Sequence, residues 1–152
     1  MGAGSSCWGA WIGSRYRAWP GGADPGTLMR MSIRRVVPVV ATQRLDPSRE
    51  FYVQLFGFEV AMDMGWIVSL VSPTNPTAQI AVMTSDATAP VQPQLTIEVS
   101  NVDAMHTEAL RRGDEVVYPL TDEPWGARRF FVRDPNGVVV NVVGQRMSEG
   151  GA

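Results

Sequence analysis

The pattern of apolar and polar positions divides most of the chain into short elements that occur twice in the same order. An apolar, β-branched run at residues 33–42 predicts a buried strand. A helix is predicted to follow, with Asp46 as its N-cap, Pro47 as its first residue and Gly57 as its C-cap. Three strands come next, at residues 58–62, 66–71 and 78–83. Turn-forming Gly, Pro, Asn and Asp residues separate these strands.

The same order returns after a Pro-flanked linker at residues 84–93. The second set comprises a strand at 94–99, a helix at 102–112 that ends at Gly113, and strands at 115–120, 127–133 and 138–143. The sequence therefore predicts an internal βαβββ repeat, with modules at about residues 33–84 and 94–145 of a single domain spanning 32–147. Two half-sheets, each covered by its helix on one face, would curve their other faces around a shared cavity.

The two ends of the chain do not follow this pattern. Residues 1–31 are rich in Gly and Trp and show no sustained period. We interpret them either as a disordered tail or as residues upstream of the true start of translation, which would then lie near Met29 or Met31. Residues 148–152 are interpreted as a short C-terminal tail. No apolar run here resembles a secretory signal.

Composition narrows the possible functions. The 152 residues are 45% apolar and 18% charged, as in ordinary globular domains, and no membrane class is indicated. A net charge of −2 gives no basic surface for nucleic acid. All basic residues are Arg, which excludes Schiff-base chemistry and a Walker-type phosphate lysine. With Cys7 as the single cysteine, a disulfide framework is excluded and a cytoplasmic location is expected.

Two motifs suggest a family. The first module contains Phe-Tyr-Val-Gln-Leu-Phe-Gly-Phe at residues 51–58, and the second contains the Asp-Pro-Asn-Gly turn at residues 134–137. With the repeat, they resemble the glyoxalase / bleomycin-resistance / extradiol dioxygenase (vicinal oxygen chelate) superfamily over about residues 33–145. The resemblance implies an α+β fold in which paired βαβββ modules form a curved mixed-sheet cup. It also implies a homodimer, because cups of this family commonly use a second copy.

The metal enzymes of this family hold their ion with side chains on the opening and closing strands of each module. By the resemblance, these positions fall at Val37, Ala81, Gln94 and Asn141. Val37 and Ala81 carry no donor atom, and two neutral amides hold a divalent cation weakly. We therefore expect no metal site and predict no cofactor. A divalent metal held by ligands in another register stays an alternative.

Period-2 alternation orients Val37, Gln94 and Asn141 toward the cup, where they are candidate ligand-binding residues. Alternatively, Gln94 and Asn141 hydrogen-bond to each other across the sheet. Trp66 and Trp125 are candidate aromatic walls for a planar or cationic ligand, and otherwise core or dimer contacts.

Further candidates lie on the later strands. Arg128 and Phe130 share one strand face, and Arg128 is predicted to bind a carboxylate or phosphate of the ligand, or else to pair with a nearby acid. Glu98 is a weak candidate for a general base, with a solvated strand end as the alternative. His106 lies on a helix outside the cup, so no catalytic role is expected for it.

These observations favour a small-molecule binding protein over an enzyme. We expect it to sequester or carry an aromatic or amphipathic molecule, as the resemblance to the bleomycin-resistance branch implies. The alternative is a lyase or isomerase of the lactoylglutathione-lyase type, or a dioxygenase, with a metal site in another register or with metal-free acid–base chemistry. A third interpretation is a small regulatory subunit that binds a partner segment in the cup.

Overall fold

The computed structural model describes residues 32–145. The predicted tails at 1–31 and 148–152, and the proposed start near Met29 or Met31, lie outside these residues. Two βαβββ modules follow one another, as the repeat predicts. The first comprises β1 (Ile33–Ala41), α1 (Leu45–Phe56), β2 (Glu59–Asp63), β3 (Ile67–Val71) and β4 (Gln79–Met83). The second comprises β5 (Leu95–Val99), α2 (Val102–Arg112), β6 (Glu115–Asp122), β7 (Ala127–Arg133) and β8 (Val139–Gln145).

All eight strands belong to one mixed, curved sheet in the order β2-β3-β4-β1-β5-β8-β7-β6. Within each module the first strand pairs in parallel with the last, so β1 lies beside β4 and β5 beside β8. The modules join where β1 and β5 pair antiparallel, with Val37 opposite Thr96. The predicted α+β cup of paired modules is therefore confirmed.

Each helix covers the outer face of its own half-sheet. Tyr52 and Val53 of α1 pack against the buried Val68, Leu70 and Val82. The second helix packs in the same way, and its core consists of Val99, Val102, Ala109, Phe130 and Val142. Helices on the outer face leave the concave inner face of the sheet available for a cavity.

The ends of the helices show where the sequence prediction needs correction. Gly57 and Gly113 end α1 and α2 in left-handed conformations, with φ of 78° and 77°, as predicted. However, α1 begins at Leu45 and not after Asp46, and its N-cap is Arg44. The Ser48 hydroxyl donates to the Arg44 carbonyl instead, at 2.7 Å. Pro47 still lies in the first turn, where its missing N–H costs no helical hydrogen bond.

The linker between the modules closes one end of the cup. Its Ala89 and Val91 pack against a cluster of Tyr118, Phe131 and Val139 on the inner face of the second module. The Gln92 side chain also donates to the Met83 carbonyl, at 3.1 Å. The linker is thus a wall of the cup and not just a connection. Across residues 32–145, none of the helices has the length and apolar character needed to cross a membrane.

Candidate ligand-binding site

A cavity of about 240 Å³ lies on the concave face, where the central strands of the two modules meet. Val37 of β1 and Ala81 of β4 contribute to its floor from the first module, and Thr96 of β5 and Asn141 of β8 contribute from the second. The register explains this grouping, because Val37 is paired with Thr96 and Thr96 with Asn141, and paired residues share one face of a sheet.

Two tryptophans contact each other at the wall of the cavity. Trp66 lies in the turn between β2 and β3, and Trp125 in the turn between β6 and β7, so each comes from the equivalent hairpin of its module. Their ring centroids are 5.9 Å apart with planes tilted by 58°. Since β2 and β6 are the two edge strands, this contact joins the opposite edges of the curved sheet. Both residues line the cavity, and their role as aromatic walls for a ligand stays a prediction.

Local turn geometry holds each ring in place. The carbonyl of Trp66 accepts from the backbone N–H of Thr84 at 2.9 Å. Trp125 precedes Gly126, which has φ of 94° and donates its N–H to the carbonyl of Glu123 at 3.0 Å. A residue with a Cβ would be strained at that φ, so the turn that presents Trp125 depends on this glycine.

Asn141 is the polar side chain at the centre of the floor. It is 8% exposed, and its Nδ2 donates to Thr96 Oγ1 at 3.2 Å. Its Oδ1 is buried and has no hydrogen-bond partner among the residues described. A buried acceptor without a partner carries a desolvation cost of about 1–3 kcal/mol. This atom therefore has a free lone pair in an apolar cavity, and a donor on a ligand would satisfy it.

Much of the remaining wall is apolar and adaptable. Met62, Met64 and Met83 all line the cavity, together with Ile67 and Val143. Methionine side chains are flexible and polarizable, so they fit irregular apolar surfaces and contact aromatic rings favourably. An apolar wall with a few placed polar groups is typical of a small-molecule pocket.

Arg129 also lines this cavity, and it is held by two carboxylates. Its Nε donates to Glu123 at 2.7 Å, and its two terminal nitrogens donate to the linker's Asp86 at 2.9 and 3.0 Å. One of them also donates to Thr88 Oγ1 at 2.8 Å. Its guanidinium carbon lies 5.0 Å from the Trp125 ring centroid. Arg129 thus connects the linker to the turn that carries Trp125.

The acid–base state of this cluster follows from its contacts. Burial by itself raises the pKa of Asp86, but hydrogen bonds from Arg129 and from the backbone N–H groups of Thr88 and Ala89 outweigh it and hold the pKa below its ordinary value. Burial likewise lowers the pKa of Arg129, but Asp86 and Glu123 outweigh this effect and raise it. The ion pair is therefore stable at neutral pH.

Arg128 and Phe130 lie on the other face of the sheet, so their expected place in the cup is wrong. In the β7–β8 hairpin, Arg128 pairs with Gly144 and Phe130 with Val142, whereas Arg129 pairs with Val143. Arg128 binds Asp103 at 2.9 Å and Asp122 at 3.1 Å, which matches the structural alternative. Phe130 is fully buried under α2, with its ring centroid 5.0 Å from that of the half-buried His106.

Gln94 faces the same side as Asn141 but does not line the cavity. It lies just before β5, is exposed, and its Oε1 accepts from the backbone N–H of Val139 at 2.9 Å. The expected alternative, a hydrogen bond between Gln94 and Asn141, is therefore not formed. The linker fills that end of the cup, and the next inward residue, Thr96, occupies the place expected for Gln94.

Glu98 lies on the rim and not at a solvated strand end. Its side chain is 12% exposed and forms an ion pair with Arg35, its cross-strand neighbour on β1. The ion pair with Arg35 already engages this carboxylate, so the geometry does not favour Glu98 as a general base.

The residues present do not fit the divalent metal of the family's enzymes. Val37 and Ala81 offer no donor, and Thr96 and Asn141 offer neutral oxygens. The nearest carboxylates are held by Arg129 and Arg35. Between residues 32 and 145, no group of three or more His, Cys, Asp or Glu side chains is placed to hold a metal ion.

Two modules folded around a largely apolar cavity define a two-module cup protein. A sequence model of the Glyoxalase/Bleomycin resistance protein/Dioxygenase superfamily matches residues 33–142. The chain belongs to this superfamily. No curated protein matches the chain.

Solved structures agree with this fold. A superfamily member from Vibrio splendidus 12B01 is 17% identical, with a TM-score of 0.59 over 76% of this chain and 100% of that chain. A protein from Legionella pneumophila described as an NAD-dependent benzaldehyde dehydrogenase is 16% identical, with a TM-score of 0.60 over 73% and 99%. The Mn(II)-bound glyoxalase from Novosphingobium aromaticivorans is 18% identical, with a TM-score of 0.53 over 74% and 38%. At these identities the likeness concerns the fold alone.

Proposed function

We propose that this protein binds a small aromatic or amphipathic molecule in its cup without a metal, as a sequestering or carrier protein of bleomycin-resistance type. The observation that carries this proposal is the buried Oδ1 of Asn141, which lacks a partner in a cavity lined by Trp66 and Trp125. A planar ligand that contacts the tryptophans and donates one hydrogen bond to Asn141 would match the chemistry of the wall. The cytoplasmic location stays a prediction.

The composition of the cavity favours binding over catalysis. Its two most central polar groups, Asn141 and Thr96, are neutral, and neither is a proton acceptor of useful basicity. Arg129 and Asp86 are already paired with each other, so neither is available to transfer a proton. A lyase or dioxygenase activity has no comparable observation in its favour.

The test is ligand titration with and without a chelator. We expect a neutral aromatic alcohol such as 2-phenylethanol to bind saturably, to quench tryptophan fluorescence, and to bind equally well in EDTA. Because three of the five tryptophans lie before residue 32, the Trp66→Phe and Trp125→Phe variants identify which rings report the ligand. Binding that disappears in EDTA and returns with one added divalent metal per chain would contradict the proposal.

Asn141→Leu tests the role of the free acceptor. The loss of one hydrogen bond, worth roughly 1.4 kcal/mol, should weaken binding about tenfold. The change in stability should be small, because the variant removes an unpaired buried acceptor together with the hydrogen bond from Nδ2 to Thr96 Oγ1. Gln54→Leu is the matched control, since Gln54 is an exposed amide on α1 and its replacement should leave the affinity unchanged. Equal affinities of wild type and Asn141→Leu would contradict the assigned role.

We also propose that the protein forms a homodimer through the apolar surface of α1. Phe51, Leu55 and Phe56 are 53%, 65% and 62% exposed, and they form one surface with the half-buried Tyr52. An exposed apolar surface of this kind marks an interaction site, and a two-fold interface uses the same surface on both copies. A second copy of the same helix would therefore cover it.

A further inference from the structure

The cup contains a second compartment beside the first. This outer cavity has a volume of about 290 Å³ and shares Arg35, Trp125, Ala127 and Val143 with the inner one. Trp125 forms a wall of both, so a ring that contacts Trp125 in the inner cavity lies next to the outer one. A ligand of modest length can therefore occupy the two together.

The outer cavity differs from the inner one in the exposure of its charged side chains. Among the described residues that line it, Arg35 and Glu98 are the ionisable ones, and they are paired with each other. Arg35 also donates to Gln79 Oε1 at 2.8 Å. In the inner cavity, by contrast, the charge of Arg129 is compensated by Asp86 and Glu123, and all three are almost completely buried. Arg35 and Glu98 therefore form the ion pair in which a charged ligand could replace one of the two partners.

The unequal exposure of this pair determines which ligand charges it accepts. Side-chain exposure is 44% for Arg35 and 12% for Glu98. A lone carboxylate on Arg35 would leave Glu98 poorly solvated and without its partner, which is costly. A lone ammonium on Glu98 would release Arg35 toward water and toward Gln79, which costs less. A ligand that brings both charges satisfies both side chains.

We propose that the ligand of this cup is zwitterionic, with an aromatic ring in the inner cavity and an α-amino-acid-like head in the outer one. Its ammonium pairs with Glu98 and its carboxylate with Arg35. This inference rests on the proposed binding function, because the ring lies against Trp66 and Trp125 in the same inner cavity. It adds a defined chemical class, which is the class of aromatic amino acids and their derivatives.

Four probes that differ mainly in charge test this inference: 2-phenylethanol, phenethylamine, 3-phenylpropionate and phenylalanine. Affinities are measured by ¹H–¹⁵N NMR titration at neutral pH. We expect phenylalanine to bind most tightly, phenethylamine next and 3-phenylpropionate most weakly, with at least tenfold between the first and the last. Equal affinities for all four, or a preference for the anion, would overturn the inference. If the neutral alcohol still bound in an Asn141-dependent manner, the proposed function would stand without it.

Two variants locate the charge recognition. Glu98→Gln should weaken phenylalanine and phenethylamine at least tenfold and leave 2-phenylethanol unchanged. Arg35→Gln should weaken phenylalanine and leave phenethylamine within about threefold, because Glu98 remains. The control is Glu108→Gln, which breaks a comparable ion pair with Arg111 on the surface of α2 and should change no affinity. A Glu98→Gln protein that binds all four probes like wild type would refute the assignment.

Discussion

Arg129 lies between the linker and the β6–β7 turn, where it contacts two carboxylates and three aromatic rings. Asp86 and Glu123 are 0% and 2% exposed at their side chains, so both depend on this one guanidinium. Removing one partner of a buried ion pair leaves an uncompensated charge and costs about 3–5 kcal/mol. The stability of the linker and of the Trp125 turn should therefore depend on this one side chain.

We expect Arg129→Met to lose about 3–5 kcal/mol of unfolding free energy at pH 7. The loss should shrink toward pH 4. In the wild type, the lowered pKa of Asp86 contributes stability above the unfolded value of about 3.9, and this contribution is lost only as pH falls through the folded pKa. In the variant Asp86 keeps its neutral donors, the backbone N–H groups of Thr88 and Ala89, but loses the compensating charge of Arg129. Protonation then relieves a buried charge, so stability recovers as pH falls. Urea unfolding at pH 7 and pH 4 measures the difference.

Arg128→Met is the control for this prediction. Arg128 is adjacent in sequence, but its acidic partners are 55% and 38% exposed at their side chains. Exposed ion pairs are worth about 0–1 kcal/mol, so this variant should stay within that range at both pH values. Similar losses for the two variants, or a loss at Arg129 that does not change with pH, would contradict the account of the buried cluster.

The two arginines show which part of the site could not be predicted from the sequence, namely which side chains of β7 face the cavity. Val37 and Asn141 lie on the inner face, as the alternation of side chains along each strand predicts. The choice between Arg128 and Arg129 depends on how β7 pairs with β8, and the Asp-Pro-Asn-Gly turn sets that register through its hydrogen bonds. A one-residue error in register exchanges the two faces, so the wrong arginine was chosen.

At the level of elements, α2 and β8 touch at a glycine. A Cβ built on Gly144 would lie 3.0 Å from both Cβ and Cγ1 of Val102, the first residue of α2. Val102 is 3% exposed and fixed by the core. The helix can therefore lie this close to the sheet only because residue 144 has no side chain.

We expect Gly144→Ala to lower the unfolding free energy by about 1–3 kcal/mol through overpacking. Val102→Ala removes Cγ1, one of the two close atoms, and keeps Cβ, so the double variant should lose less than the two single variants combined. Thermal or urea unfolding of the four proteins gives the coupling energy. Strict additivity would mean that the two positions do not press on each other.

Sequence signals fixed some element boundaries better than others. The bounds of α2 and β7 were predicted as observed, and Gly113 marks the end of α2 clearly. The start of α1 was misplaced, because Asp46-Pro47 looks like a cap while the hydrogen bonds of Thr42 and Ser48 begin the helix earlier. Such side-chain bonds depend on the folded path of the loop and are not visible in composition.

For the whole molecule, the repeat was predictable from the sequence, but the contacts that join the two ends of the curved sheet and the linker were not. Hydrophobic period and turn residues recur in both modules, so their order could be read from the chain. The contact between Trp66 and Trp125 joins the two ends of the sheet, and the linker contact of Asp86 with Arg129 spans 43 residues. Both depend on the curvature of the complete sheet, which no local pattern contains.

The exposed surface of α1 also belongs to this scale. Phe51, Tyr52, Leu55 and Phe56 lie close together on α1, but of these four only Tyr52 packs against the buried cluster of the half-sheet. Three large apolar side chains are left at the surface. In the proposed homodimer, the same residues of a second copy would cover them.

Leu55→Glu tests this interface. Leu55 is 65% exposed, so the charge should not disturb the folded chain, whereas two glutamates facing each other across a two-fold axis repel. We expect the wild type to sediment at twice the chain mass and the variant at the chain mass, with unchanged circular dichroism. Leu110→Glu on α2 is the matched control, since Leu110 is 57% exposed but lies on the other helix, and this variant should remain dimeric. A monomeric wild type would contradict the proposed dimer. Dissociation by both variants alike would mean that the dimer does not form through α1 in particular. In either case the apolar surface of α1 would need another partner.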